Sequence, residues 1–269
     1  MNHNIPEIGA FRRRTDKNSC LAMELELISV ERADTLMQQL AELRQADLVP
    51  DMALILAHPA TLAVGARKLQ PQDLLRPLEF FQSRGIGLIQ SIRGGGLTYH
   101  WPGQIVCYPV MKLAPQEQNI AMYVYRLEEV GLRTLREFGI EASRKREKAA
   151  QIGLWLGNRK IASMGIHVSR WVTSYGFALN VSGNAEAADF IRPCGLDGVK
   201  LITMSEVLGY DPGRRAVTTS LLRQFEQVFD RKIHAMTMRN LTWLNQENAD
   251  HDISFRNANL SSSFSESLD

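Results

Sequence analysis

The stretch Arg93-Gly94-Gly95-Gly96-Leu97-Thr98-Tyr99-His100-Trp101-Pro102-Gly103-Gln104 sits between two segments that read as strands. Gly87 to Ile92 (GLIQSI) leads into it, and Gln104 to Val110 (QIVCYPV) leads out. Three consecutive glycines strip the backbone of side-chain sterics, so residues 94–96 form a loop or sharp bend, and Leu97 to His100 resumes an extended course. Bare N–H groups in such a loop can hold a carbonyl or an anion, and Arg93 can neutralise a charged group beside it. No Gly-Lys-Ser/Thr follows, so this is not a Walker loop, and no helix opens after it, so it is not a dinucleotide fingerprint. His100 is either a general base or a hydrogen-bonded support.

Outward from this loop, strand and helix signals alternate irregularly. Upstream, Ala33, Leu36, Met37, Leu40 and Leu43 have helical spacing over 33–46. Met52 to Ala57 is a short apolar run ended by His58-Pro59 and reads as a buried strand, and Thr61 to Gly65 continues into a loop bearing Arg67 and Lys68. Downstream, the longest helix is expected over about 118–138, stopped by Gly139. Ile152–Leu156 and Lys160–Val168 read as strands joined at Gly157-Asn158, with a further strand over Trp171–Val181. Thr203-Met204-Ser205-Glu206 is a capping box that opens a helix, and a last amphipathic helix covers about 218–230. This order predicts an α+β fold in a single domain, residues 21–240, with a flexible extension at 1–20 and a polar, aperiodic, disordered tail at 245–269.

The totals narrow the function. A net charge of +2 is too small to argue for nucleic acid, and no apolar run approaches the ~20 residues of a membrane span. Arg12, Arg13, Arg14 and Lys17 are followed by no apolar h-region, so a secretory signal is not expected. The three cysteines are odd in number and widely spaced, which fits a reducing, cytoplasmic setting rather than a disulfide framework, and no Cys/His cluster suggests a metal.

Two residues stand out as chemistry. Cys194 lies between Pro193 and Gly195, in a tight, accessible turn rather than a core position. Lys160 lies near the start of a strand that is otherwise small and apolar. Alone, each reads as ordinary. Together they suggest an activated thiol: an ammonium within ~4–6 Å stabilises a thiolate, and a partly desolvated lysine loses its proton more easily and acts as a base.

Three segments in this order resemble the octanoyltransferases of lipoate biosynthesis: Arg-Gly-Gly-x-x-Thr-Tyr-His-x-Pro-Gly-Gln at 93–104, Arg-Lys-Ile-Ala-Ser-x-Gly at 159–165 and Pro-Cys-Gly at 193–195. Trp171-Val172-Thr173 and Gly176-Phe177-Ala178-Leu179-Asn180 add to the likeness, which runs from about Leu25 to Leu208. Gly96 stands where the family usually has Gln, Trp101 replaces a glycine, and Ser174-Tyr175 replaces Tyr-His.

The resemblance implies a fold like that of biotin and lipoate protein ligases, a mixed sheet flanked by helices. It implies that Cys194 takes octanoyl from octanoyl-acyl carrier protein and that Lys160 activates Cys194. The acceptor would be a lysine on a lipoyl domain of a 2-oxoacid dehydrogenase or on the glycine cleavage H protein. The acyl group would lie along Arg93, Gly94, Gly95, Gly96, Leu97, Thr98, Tyr99 and His100, with Ser163, Met164 and Gly165, and Gly176, Phe177 and Ala178. No metal, ATP or other cofactor is called for, because the incoming thioester is already activated. Arg144-Lys145-Arg146 with Lys148, or Arg67 with Lys68, would receive an acidic carrier. Two alternatives are an ATP-dependent ligase on the same fold, which needs no nucleophilic cysteine, and a binding protein whose pocket is closed by the changes at 101 and 175.

Overall fold

The computed structural model describes residues 18–145, 151–183 and 185–236. In chain order these form β1 (Ser19–Leu27), α1 (Val30–Gln45), β2 (Asp51–Ala57), β3 (Thr61–Val64), α2 (Leu78–Gln82), β4 (Gly87–Gln90), β5 (Leu97–His100) and β6 (Gln104–Val110). Then come α3 (Ile120–Glu137), β7 (Ser143–Arg144), β8 (Gly153–Leu156), β9 (Arg159–Ser169), β10 (Val172–Asn180), β11 (Lys200–Leu201), α4 (Met204–Leu208), α5 (Arg214–Phe229) and β12 (Lys232–Met236). No helix among the described residues is long and apolar enough to cross a membrane.

The large sheet has the order β12-β1-β2-β6-β10-β9-β8-β7, with β11 also on β9. β12, β1 and β2 run parallel, and the pairs from β2 to β7 are antiparallel. A smaller sheet, β4-β3-β5, stands apart. This is the mixed α+β architecture expected from the sequence. β2 and β6 are adjacent interior strands of the large sheet and are buried at every residue, which is why their sequences are apolar runs and do not alternate.

Helices α3 and α5 cover the large sheet. Leu127, Val130 and Leu135 of α3 join Val217, Leu221 and Phe225 of α5 in one core with Ile161 of β9 and Phe177 and Leu179 of β10. The small sheet has its own core, in which Leu62, Val64, Leu97, Tyr99 and Trp101 pack with Phe81 and Ile191.

Several expectations shift. Thr61–Val64 is strand β3 rather than the start of a loop, because it pairs with β4 and β5, partners distant in sequence. The strand expected to reach Ile92 ends at Gln90. Trp171 does not open β10: with Arg170 it forms the two-residue turn from β9, both at positive φ (61° and 48°), the hairpin geometry that suits strand twist. The last long helix starts at Arg214. The capping box at Thr203 and Glu206 forms as expected. Ser19 and Cys20 sit buried in β1, so the sheet begins inside the segment expected as an extension. The segment 1–17 and the expected tail at 245–269 lie outside the described residues.

Candidate active site

The register of the β9–β10 ladder builds one wall of a cleft. It pairs Ser163 with Ala178, Met164 with Phe177, and Gly165 with Gly176. Those six residues line the cleft with Arg93, Thr98, His100 and Tyr108, and the cleft is partly open to solvent. Two parts of the chain far apart in sequence, residues 93–108 and the β9–β10 hairpin, therefore meet at one place. Side chains alternate along a strand, so β5 turns Thr98 and His100 to the cleft. Leu97 and Tyr99 instead belong to the core of the small sheet. Gly94, Gly95 and Gly96 are not in the lining either: they carry the loop that closes over β9. Gly94 N–H donates to Ile166 O at 2.8 Å, and a β-carbon on Gly165 would lie 2.9 Å from Gly94 O. The Arg93 guanidinium donates to the carbonyls of Ala63, Gly94 and Gly96 at 2.7–3.0 Å, which ties the loop to β3.

A string of buried polar groups fixes the tautomers of two histidines. Asn180 Nδ2 donates to the carbonyls of Lys160 and Ile202, so its Oδ1 is left to accept from Gln104 Nε2 at 3.0 Å. That orients Gln104 with Oε1 toward His100 Nδ1 at 2.8 Å, and Nδ1 must carry the proton. The remaining nitrogen of His100, Nε2, is then an acceptor. His58 Nδ1 donates to Ile28 O at 2.8 Å, so its Nε2 accepts from the Tyr108 hydroxyl at 3.0 Å. The two imidazoles meet edge to face, 5.0 Å between centroids. Burial pulls the pKa of His58 down to about 4 and that of His100 well below the usual histidine range, so both are neutral near pH 7.

Lys160 is almost fully buried (1% exposed). Its neighbours in the sheet are Trp155 of β8 and Leu201 of β11, and its Nζ lies 5.1 Å from the Trp155 ring centre. The backbone of Cys194 forms a single 3-10 turn, Pro193–Gly195, and its side chain lies outside the described residues. The turn packs on β5, and the chain leaving it soon enters β11, the strand paired with Lys160.

Arg67 joins the loop and the turn. Its side chain reaches Asp73, which is fully buried, through both carboxylate oxygens at 3.0 Å. Its guanidinium also lies beside Gly96 and Gly195: β-carbons there would fall 2.6 and 3.1 Å from its nearest atoms. The Asp73 carbonyl accepts Arg192 N–H at 2.8 Å, just before the cysteine turn. Arg67, though 39% exposed, thus braces the glycine loop against the cysteine turn. Arg144 is also neutralised, by Glu128 and Glu129, while Arg146 and Lys148 lie outside the described residues.

The model of the lipoyl protein ligase A/B catalytic domain matches residues 30–226, most of the chain. The chain belongs to this family. Curated relatives of this lipoyl ligase A/B member include an octanoyltransferase of Solibacter usitatus, 38% identical over 80% of this chain and 94% of that protein. An octanoyltransferase of Syntrophobacter fumaroxidans is 36% identical over 80% and 93%. Among solved structures, lipoate-protein ligase A bound with ATP gives a TM-score of 0.66 at 16% identity, over 87% of this chain and 94% of that one. A bi-partite lipoate protein ligase from Thermoplasma acidophilum gives 0.64 at 16%, over 86% and 92%. At such identity the structural likeness speaks for the fold.

The three departures from the family pattern have different settings in this member. Trp101 is buried in the small-sheet core, stacked on Tyr99 with its indole N–H on Ser182 O, and it does not line the cleft. Tyr175 stands behind the cleft wall, buried, with its ring 5.8 Å from Tyr108. Gly96 makes room for Arg67. Sequence reasoning missed His58, Tyr108, Gln104, Asn180 and the Arg67–Asp73 pair as parts of the site. Asn180 and Gln104 were visible only as ends of quoted motifs, and nothing near Asp73 marks it as buried.

Proposed function

We propose that this acyltransferase carries octanoyl from octanoyl-acyl carrier protein, through a thioester on Cys194, to the ε-amine of a lysine on a lipoyl domain. Its curated relatives are named octanoyltransferases, and the relay gives that transfer a mechanism. The Cys194 sulfur attacks the octanoyl carbonyl and the bond to the pantetheine sulfur breaks, with Lys160 supplying the proton that the departing sulfur takes up. The acceptor amine then attacks the Cys194 thioester, the carbon–sulfur bond breaks, and the proton shed by the amine returns to Lys160. Two displacements let one site serve two carriers in turn.

One observation carries this reading: the convergence of 163–165 and 176–178 with Thr98 and His100 around a mostly apolar slot. Lys160 lies roughly 10 Å away along the same strand, β9. Neutral His100 and Tyr108 give the slot polar contacts without a charge that would repel an alkyl chain.

Intact-mass measurement after incubation with octanoyl-acyl carrier protein tests it. The protein should gain one octanoyl mass without ATP, Cys194→Ala should gain none, and Lys160→Ala should load slowly. ATP-dependent transfer that persists in Cys194→Ser would overturn the relay in favour of a ligase. A wild-type protein that never acquires the mass would leave only a carrier-binding protein.

A further inference from the structure

Glu128 is fully buried on α3. A carboxylate at such a position is costly unless it is both bonded and paired. Its Oε1 accepts the Gly153 N–H at 3.1 Å, and its Oε2 faces Arg144 Nε at 3.3 Å. Gly153, the first residue of β8, has φ +138°, and a β-carbon on it would lie 2.6 Å from Cε and 3.3 Å from Nζ of Lys160. The end of the Lys160 side chain therefore lies against the bare face of the residue whose N–H Glu128 holds.

We infer that Glu128 is a positioning residue for Lys160. It fixes Gly153 as the bed on which the lysine lies, and its negative charge favours the ammonium form that pairs with the Cys194 thiolate. This rests on the reading that Lys160 activates Cys194. Among the described residues, the other groups seen near the lysine are cationic or neutral. Arg144 ends β7 and is shared between Glu128 and Glu129; Lys145 lies 4.7 Å from the Trp155 ring; Trp155 is neutral; and Asn180 is a neutral amide that bonds the backbone carbonyl of Lys160.

The test compares wild type with Glu128→Gln, which keeps an oxygen for Gly153 N–H and loses the charge. The variant should load octanoyl on Cys194 about tenfold more slowly at neutral pH, with the KM for the donor unchanged and the Lys160-dependent limb of the pH–rate profile moved to lower pH. A rate and pH profile that match wild type would overturn the inference. If Glu128→Gln does not fold, the Glu128→Gln/Arg144→Gln protein compared with Arg144→Gln isolates the same charge: a rate and pH profile that match Arg144→Gln would overturn the inference. Lys160→Ala separates the two levels. If it retains full activity, the proposed relay itself fails; if it is inactive while Glu128→Gln behaves as wild type, only the role of Glu128 fails.

Discussion

The guanidinium of Arg67 fills the space that a side chain at Gly96 would need, with Nε only 2.6 Å from the position of its β-carbon. Arg67 is held there by Asp73, so it cannot swing aside without leaving a buried carboxylate unpaired. Gly96→Gln should therefore destabilise the protein by roughly 1–3 kcal/mol. In an Arg67→Ala background the same change should cost much less. Urea unfolding of the two single variants and the double variant measures the coupling, and strictly additive losses would mean that the two residues do not compete for space.

Gln104 orders the polar string between His100 and Lys160. Gln104→Leu removes the acceptor for His100 Nδ1–H and the donor to Asn180 Oδ1 and Tyr99 O. Buried groups left without partners cost about 1–3 kcal/mol each, so a loss of several kcal/mol is expected by chemical denaturation. A loss below about 1 kcal/mol would show that these bonds are not holding the site.

Chain length should respond to Ala178, which is buried in the cleft wall opposite Ser163. Ala178→Leu fills space that the end of an acyl chain would use, at about 0.8 kcal/mol for each methylene denied a place. The ratio of kcat/KM for octanoyl over butyryl donors should drop by at least about tenfold. An unchanged ratio in a folded variant would place the acyl chain elsewhere.

Stability should depend on pH through buried groups of opposite sense. His58 titrates at about 4 in the fold against 6.5 when unfolded, so between these values the unfolded chain binds more protons and stability rises with pH. His100 acts in the same direction. Asp34 opposes them: burial raises its carboxyl from 3.8 to about 6, so the folded chain binds more protons over that span and stability falls as pH rises. Asp34→Asn should therefore steepen the gain in melting temperature between pH 4 and 6 relative to wild type. An identical slope in the two proteins would show that Asp34 does not titrate in this range.

The class of the fold was legible because its central strands are apolar runs of the right length and its helices are periodic and capped. Thr203-x-x-Glu206 and the Gly157-Asn158 turn are local signals whose physics needs only neighbouring residues. The β3 strand and the Arg170–Trp171 turn were not legible, since one depends on partners distant in sequence and the other places two non-glycine residues at positive φ.

The sequence alone determined which motifs exist and their order along the chain: glycine loop, lysine strand, cysteine turn. Only the tertiary structure decided which of their residues face the cleft, because strand alternation sends Thr98 and His100 inward while Leu97 and Tyr99 enter another core. It alone also brought Glu128 onto the N–H of Gly153, the glycine that Lys160 lies against, and Arg67 between two glycines. Such contacts follow from the approach of separate elements, and a one-dimensional pattern carries no information about distance between them.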